Sequence, residues 1–158
     1  MKAGAAPIIA GAWLGGSIPT KTTISGKAGR KASICDLVHR GVPIGLLAYF
    51  EDEPIGWCSI APRDTYRSLG GDEAKDRVWS LVCFFIKRPF RNRGITSRLI
   101  DAAVQYARDN GARYIEAYPV AHDSPSYTFM GFVSTFEKAG FQFVKTAGTR
   151  RNVMILAL

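Results

Sequence analysis

A mixed α/β fold with a parallel strand pair is predicted by three features of this sequence. Val78–Ile86 is a nearly unbroken apolar run of β-branched and aromatic residues, which suits a central strand covered on both faces. The pattern then changes period: Ile95, Leu99, Ala103, Tyr106 and Ala107 share one helical face, opposite Arg98, Asp101, Gln105 and Arg108. Residues 114–118 return to strand character and are closed by Pro119. A strand, helix, strand unit of this kind makes its two strands parallel neighbours with a right-handed crossover.

The remaining elements follow in order. Residues 1–30 are rich in Gly, Ala, Ser and Thr, with one short strand predicted at 7–14; Lys21-Thr22 lacks the preceding glycine of a phosphate-binding loop. Ile34, Leu37 and Val38 predict a helix over 31–40, stopped by Gly41 with Pro43 beyond. Two apolar runs, 44–50 and 55–61, flank the charged Glu51, Asp52 and Glu53 with Pro54, a hairpin signal. Polar residues 63–76, with Gly70-Gly71, read as a loop or a poorly formed helix. Asn110-Gly111 stops the long helix. An irregular loop at 122–130 precedes a helix carrying Phe132, Val133, Phe136 and Ala139, and strands at 141–145 and 153–158 close the chain. A last strand at the sheet edge, ending at Leu158, would offer a homodimer contact.

A chain of 158 residues, 47% hydrophobic and 22% charged, is expected to form one domain. Its 21 Lys+Arg against 13 Asp+Glu give +8, and a pI near 9.7 asks for an anionic partner: nucleic acid, membrane lipid or a polyphosphate cofactor. The excess is local, since residues 77–100 hold no acid but contain Arg77, Lys87, Arg88, Arg91, Arg93 and Arg98. No apolar stretch reaches membrane-spanning length, and no helix-turn-helix, zinc-finger or RNP-like motif occurs, so neither membrane nor nucleic acid is the expected partner. Cys35, Cys58 and Cys83 are odd in number and lack a C-x-x-C pair, and His39 and His122 lack a metalloprotease pattern. No metal is expected, and a reducing, cytoplasmic setting is.

Arg91-Asn92-Arg93-Gly94-Ile95-Thr96-Ser97 carries the chemistry. It joins the end of the central strand to the start of the long helix, where successive N–H groups and the helix dipole favour an anion. Gly94 admits a close backbone approach, Thr96 and Ser97 bring hydroxyls, and Arg91 and Arg93 bring charge.

Arg91-x-x-Gly94-x-Thr96, preceded by Ile86-x-x-Pro89, resembles the acyl-CoA pyrophosphate motif of the GNAT superfamily of N-acetyltransferases. Asp52-Glu-Pro-Ile-Gly-Trp57, Gly111-Ala-Arg-Tyr-Ile-Glu116 and Phe136-Glu-Lys-Ala-Gly140-Phe141 resemble three further segments of that family in the same order. The resemblance covers 44–158, with residues 1–43 poorly matched. It implies one α/β (α+β) domain over 1–158: a mostly antiparallel sheet with a parallel pair of splayed strands, flanked by helices.

It also implies an acetyl-CoA-dependent transfer to a primary amine, of a small molecule or a peptide, by direct attack in a ternary complex. Phe84, Phe85 and Ile86 would hold pantetheine and the thioester carbonyl through their main chain, and Arg91, Asn92, Arg93, Gly94, Ile95, Thr96 and Ser97 would hold the phosphates. The family's thiolate-facing tyrosine falls on Phe136, and a glutamate that some relatives use as base falls on Ser80. Glu116 and Tyr127 are therefore the candidate catalytic residues, with Tyr118 and His122 nearby. Trp57, Arg63 and Tyr66 are candidates to line the acceptor pocket, Trp57 being equally readable as core. Two alternatives stand beside acetyl transfer: a CoA-binding module without turnover, and transfer of a longer acyl group.

Overall fold

The structure is a computed structural model that describes residues 27–158. The strand expected at 7–14 lies outside the described residues. The first helix, α1 (Lys27–His39), begins before the expected residue 31 and tolerates Gly29 within its first turns; it buries Ile34 and Leu37. The hairpin follows as β1 (Leu46–Phe50) and β2 (Glu53–Pro62), turning at Glu51 with its charged tip in water. Next come β3 (Val78–Ile86), α2 (Ile95–Asp109) and β4 (Tyr114–Ala117), the strand, helix, strand unit expected from the period change. A short α3 (Val133–Lys138) and the strands β5 (Gln142–Ala147) and β6 (Arg151–Ala157) complete the chain.

The six strands form one sheet in the order β1-β2-β3-β4-β6-β5. Only β3 and β4 are parallel; the other four neighbour pairs are antiparallel. The last strand is not an edge. β6 lies between β4 and β5, because the hairpin from β5 folds its second strand inward, and β5 takes the edge with Phe143 and Val144 exposed.

Helix α2 lays Ile95, Leu99, Ile100, Ala103 and Ala107 on the sheet, against Leu46, Ile60, Leu81 and Ile115. Phe136 of α3 and Phe141 join the same cluster. Burying such aliphatic and aromatic side chains is worth about 1.5–3 kcal/mol each. The opposite face carries a second cluster of Val82, Tyr118, Met130, Ala147 and Val153. Across this face runs a strap, residues 63–77, which opens with a 3₁₀ turn at Arg63–Thr65 and packs Tyr66 and Leu69 on the cluster. A register shift opposite Ser59 and Ile60 lets β3 send Leu81 and Phe84 to one cluster and Val82 to the other.

The full-length burial expected of the central strand holds only for its first part. Val78 to Val82 are buried, but Phe85 is 54% exposed. The reason is topological: the β3–β4 ladder has four pairs, from Val78 with Tyr114 to Leu81 with Ala117, and then ends. Past Ala117 the chain turns away, and Val120 bridges to Phe132 and to Arg151 instead of to β3. The two parallel strands part at Leu81 and Ala117, and a cleft opens between them.

Candidate active site

The cleft has a volume of about 600 Å³. One wall is the upper part of β3, with Phe84, Phe85 and Ile86; the mouth is formed by Phe90, Arg91, Asn92, Gly94, Ile95, Thr96 and Ser97. The other wall comes from the chain after β4: His122, Thr128, Phe129, Gly131, Phe132 and Thr135. Nine of the ten residues expected to hold a cofactor are thus brought together. Arg93 is the exception: its guanidinium lies 5.7 Å over the Phe90 ring, which places its charge at the rim. Apart from His122, which stood near the candidate catalytic residues, the second wall was not identified from the sequence, because the loop 122–130 has no period and helical spacing does not say which turn faces a cleft.

The β3 edge is the unusual part. From Cys83 to Ile86 this strand pairs with β2 on one side, while β4 has left the other. Backbone N–H and C=O groups on that side are open to an extended, amide-bearing ligand, which would complete the sheet as an added strand does.

At the mouth, Asn92 (φ 58°) and Gly94 (φ 72°) both take left-handed backbone conformations that turn the chain into α2. Glycine is the residue that adopts this at no steric cost, and a Cβ at Gly94 would meet nothing within 4 Å, so the space beside it is open. The α2 N-terminus has no side-chain cap and no acid in its first turn. Its first N–H groups and dipole therefore present positive potential to the cleft. Arg91 donates from Nε to the Ile86 carbonyl at 3.1 Å, which fixes the arginine to the end of β3.

Glu116 does not line the cleft. Its carboxylate is fully buried on the opposite face, one ladder pair below the parting point, and accepts from Ser80 Oγ at 2.9 Å, from the Tyr118 hydroxyl, and from Arg63 Nη1 at 3.4 Å. Burial and the Glu116 charge push the Tyr118 phenol far up, so it stays a donor. Arg63 also donates to the Asp72 and Lys75 carbonyls at 2.6 and 2.7 Å, tying the strap down over Glu116.

Trp57 is buried and stands directly opposite Phe85 in the β2–β3 ladder, so the two share a face. Tyr66 is 2.8 Å from Ser59 Oγ, and burial pushes its phenol well up. Tyr127 is exposed, with Arg151 5.7 Å over its ring; it adjoins the cleft residues Thr128 and Phe129 without lining the cleft itself. Phe136 is fully buried between Phe84 and Phe141.

Burial pushes the Cys58 thiol up to about 12 and the Cys83 thiol to about 11. Both are protonated near neutrality, which makes them poor nucleophiles for an acyl-enzyme. Among the described residues no cluster of His, Cys, Asp and Glu is suited to a metal ion, and no helix is long and apolar enough to cross a membrane.

Solved structures share this architecture. An N-acetyltransferase from Staphylococcus aureus Mu50 superposes with a TM-score of 0.60 at 15% identity, over 84% of this chain and 78% of its own. The PaiA N-acetyltransferase of Thermoplasma acidophilum, in complex with coenzyme A, gives 0.59 at 16% identity, over 84% and 72%. A ribosomal-protein-alanine N-acetyltransferase from Brucella melitensis gives 0.57 at 18% identity, over 86% and 81%. No curated protein sequence matches the chain significantly. The sequence profile of the acetyltransferase (GNAT) family matches residues 20–141, which reaches into the region left unmatched by the motifs. With that profile spanning most of its length, the chain belongs to the GNAT acetyltransferase family.

Proposed function

We propose that this protein moves an acetyl group from acetyl-CoA to a primary amine by direct attack in a ternary complex. The observation that carries the reading is the unpaired β3 edge at Cys83 to Ile86, which leads along one cleft to the uncapped N-terminus of α2. Main-chain groups of Phe84, Phe85 and Ile86 hold the pantetheine amides and polarise the thioester carbonyl. The N–H groups from Gly94 to Ser97, with Arg91, Asn92 and Arg93, hold the pyrophosphate. Oriented N–H donors at the developing oxyanion are worth about 3–4 kcal/mol of barrier.

The acceptor amine approaches from the face of Trp57, Arg63 and Tyr66, since Trp57 adjoins the cleft residue Phe85. Glu116 takes the amine's proton by way of the Tyr118 hydroxyl, which sits where the strands part and bonds to the carboxylate. Tyr127, beside the inner wall, is the second group assigned to proton traffic. Direct transfer is favoured over an acyl-cysteine because burial keeps the Cys58 and Cys83 thiols protonated. These reduced thiols also suit a cytoplasmic setting.

A second reading is a CoA-binding module without turnover. It is favoured by Phe136, which has no hydroxyl and is sealed in the core, and by the burial of Glu116. Titration calorimetry with acetyl-CoA tests the shared part: binding is expected, and Gly94→Asp, which sets a carboxylate where the phosphates lie, is expected to abolish it. Release of CoA thiol with a panel of small-molecule and peptide amines separates the two readings. Binding without release for any amine favours the module; release with longer acyl-CoA donors as well would widen the donor class.

A further inference from the structure

Phe85 is 54% exposed although it lines the cleft. Its neighbours Phe84 and Ile86 pack into the cluster under α2, so strand alternation sends the Phe85 ring to the other face of the sheet, the one the strap crosses. Cys83, two residues earlier on that face, is covered together with Tyr66 and Leu69 of the strap against the second cluster. Phe85 stands just beyond that cover, directly opposite the buried Trp57 of β2.

The cofactor does not account for this ring. A ligand that pairs with the open β3 edge lies in the plane of the sheet, whereas side chains stand roughly perpendicular to it. The main chain of Phe85 serves the cofactor in the reading above, and its ring is left to whatever enters from the strap side. On the facing wall, Phe129 lines the cleft and also packs against the strap-side cluster. The Tyr127 ring is 6.1 Å from that of Phe129 and is 43% exposed. Among the described residues that line the cleft there is no Asp or Glu. Glu116, the carboxylate beneath the strap, is closed over by Gly71 and paired with Arg63. An incoming amine therefore meets aromatic rings and no carboxylate on these walls.

We propose that the Phe85 ring selects the acceptor, and that the acceptor is a primary amine carried on an aromatic body, which stacks on Phe85 with Phe129 on the facing wall. The proposal rests on the acetyl-transfer reading and deepens it. An aromatic body at this place removes the exposed face of Phe85 from water, and ring pairing adds to that burial. A polycationic amine finds no acid on these walls to receive its further charges, which must shed water without a partner.

Release of CoA thiol from acetyl-CoA by the full chain, with 2-phenylethylamine, ethylamine and spermidine as acceptors, tests this in wild type, Phe85→Ala and Phe85→Tyr. The ring is exposed, so the fold is not at stake. The readout is the ratio of kcat/KM values for two amines within one protein, which a general loss of activity does not move. Wild type is expected to favour 2-phenylethylamine over ethylamine by about tenfold. In Phe85→Ala that ratio falls towards unity, and Phe85→Tyr, which keeps the ring, retains it. An unchanged ratio in Phe85→Ala, or a wild type that favours ethylamine or spermidine, overturns the inference and leaves acetyl transfer standing. So does turnover of other amines with none of 2-phenylethylamine. Release with no amine at all overturns both.

Discussion

Gly71 lies against the carboxylate of Glu116 so closely that a Cβ on the glycine would overlap both carboxylate oxygens and Cδ. The contact joins the strap to the buried polar group beneath it. Gly71→Ala must push either the strap or Glu116 away, and overpacking of this kind costs about 1–3 kcal/mol. Urea unfolding of the two proteins measures it; equal midpoints would mean that the strap does not rest on Glu116.

Arg63 is the strap's other anchor. Arg63→Ala removes the two carbonyl tethers at Asp72 and Lys75 and leaves Glu116 without its cation. Loss of one partner from a buried pair costs about 3–5 kcal/mol, and partial exposure of Arg63 places the expected loss at about 3. Amide exchange over residues 66–76 is expected to speed up more than exchange in α2. Uniform acceleration across the chain would instead mark Arg63 as a general stabiliser.

The raised thiols give the fold a pH limit. Cys58 moves from 9.0 to about 12 and Cys83 from 9.0 to about 11, both chiefly through loss of water around the thiol. The unfolded chain releases these protons above pH 9 while the folded chain keeps them, so their contribution is complete below pH 9. It is lost as pH rises from 9 to about 12 for Cys58 and from 9 to about 11 for Cys83, at about 1.4 kcal/mol per unit for each group within its window. Tyr66 and Tyr118, raised in the same direction by burial, steepen the decline above 10. Unfolding free energies between pH 8 and 11 are expected to fall, and Cys58→Ala to fall less steeply from its lower starting value. Parallel slopes would show that Cys58 does not contribute.

Phe136 occupies the position that resembles the family's thiolate-facing tyrosine, yet its ring is enclosed by Phe84 and Phe141. Phe136→Tyr would bury a hydroxyl among aromatic rings. We expect a stability loss of about 1–3 kcal/mol and no gain in kcat. A rise in kcat would show that the new hydroxyl reaches the cleft.

The sequence made the 91–97 end of the cleft legible and the rest much less so. Residues 91–97 announce themselves because glycine, hydroxyls and cations sit at one strand-to-helix junction, and their chemistry is local. The four-pair ladder ending at Leu81 and Ala117 is not local, since it depends on where Val120 finds Phe132 and Arg151. His122 and Thr135 join the cleft only through that long-range closure. For the same reason Glu116 looked like any strand carboxylate. Its enclosure comes from Arg63 and Gly71, 53 and 45 residues earlier in the chain.

The parting of β3 from β4 has a mechanical meaning as well. Two half-sheets, β1-β2-β3 and β4-β6-β5, meet along a seam of only four residue pairs, with α2 stretched across one side. A ligand that bonds to β3 and rests on the second wall lengthens that seam as mortar does. Cofactor loading would then stiffen the whole body of the protein, and the empty form would be the one free to flex about the seam.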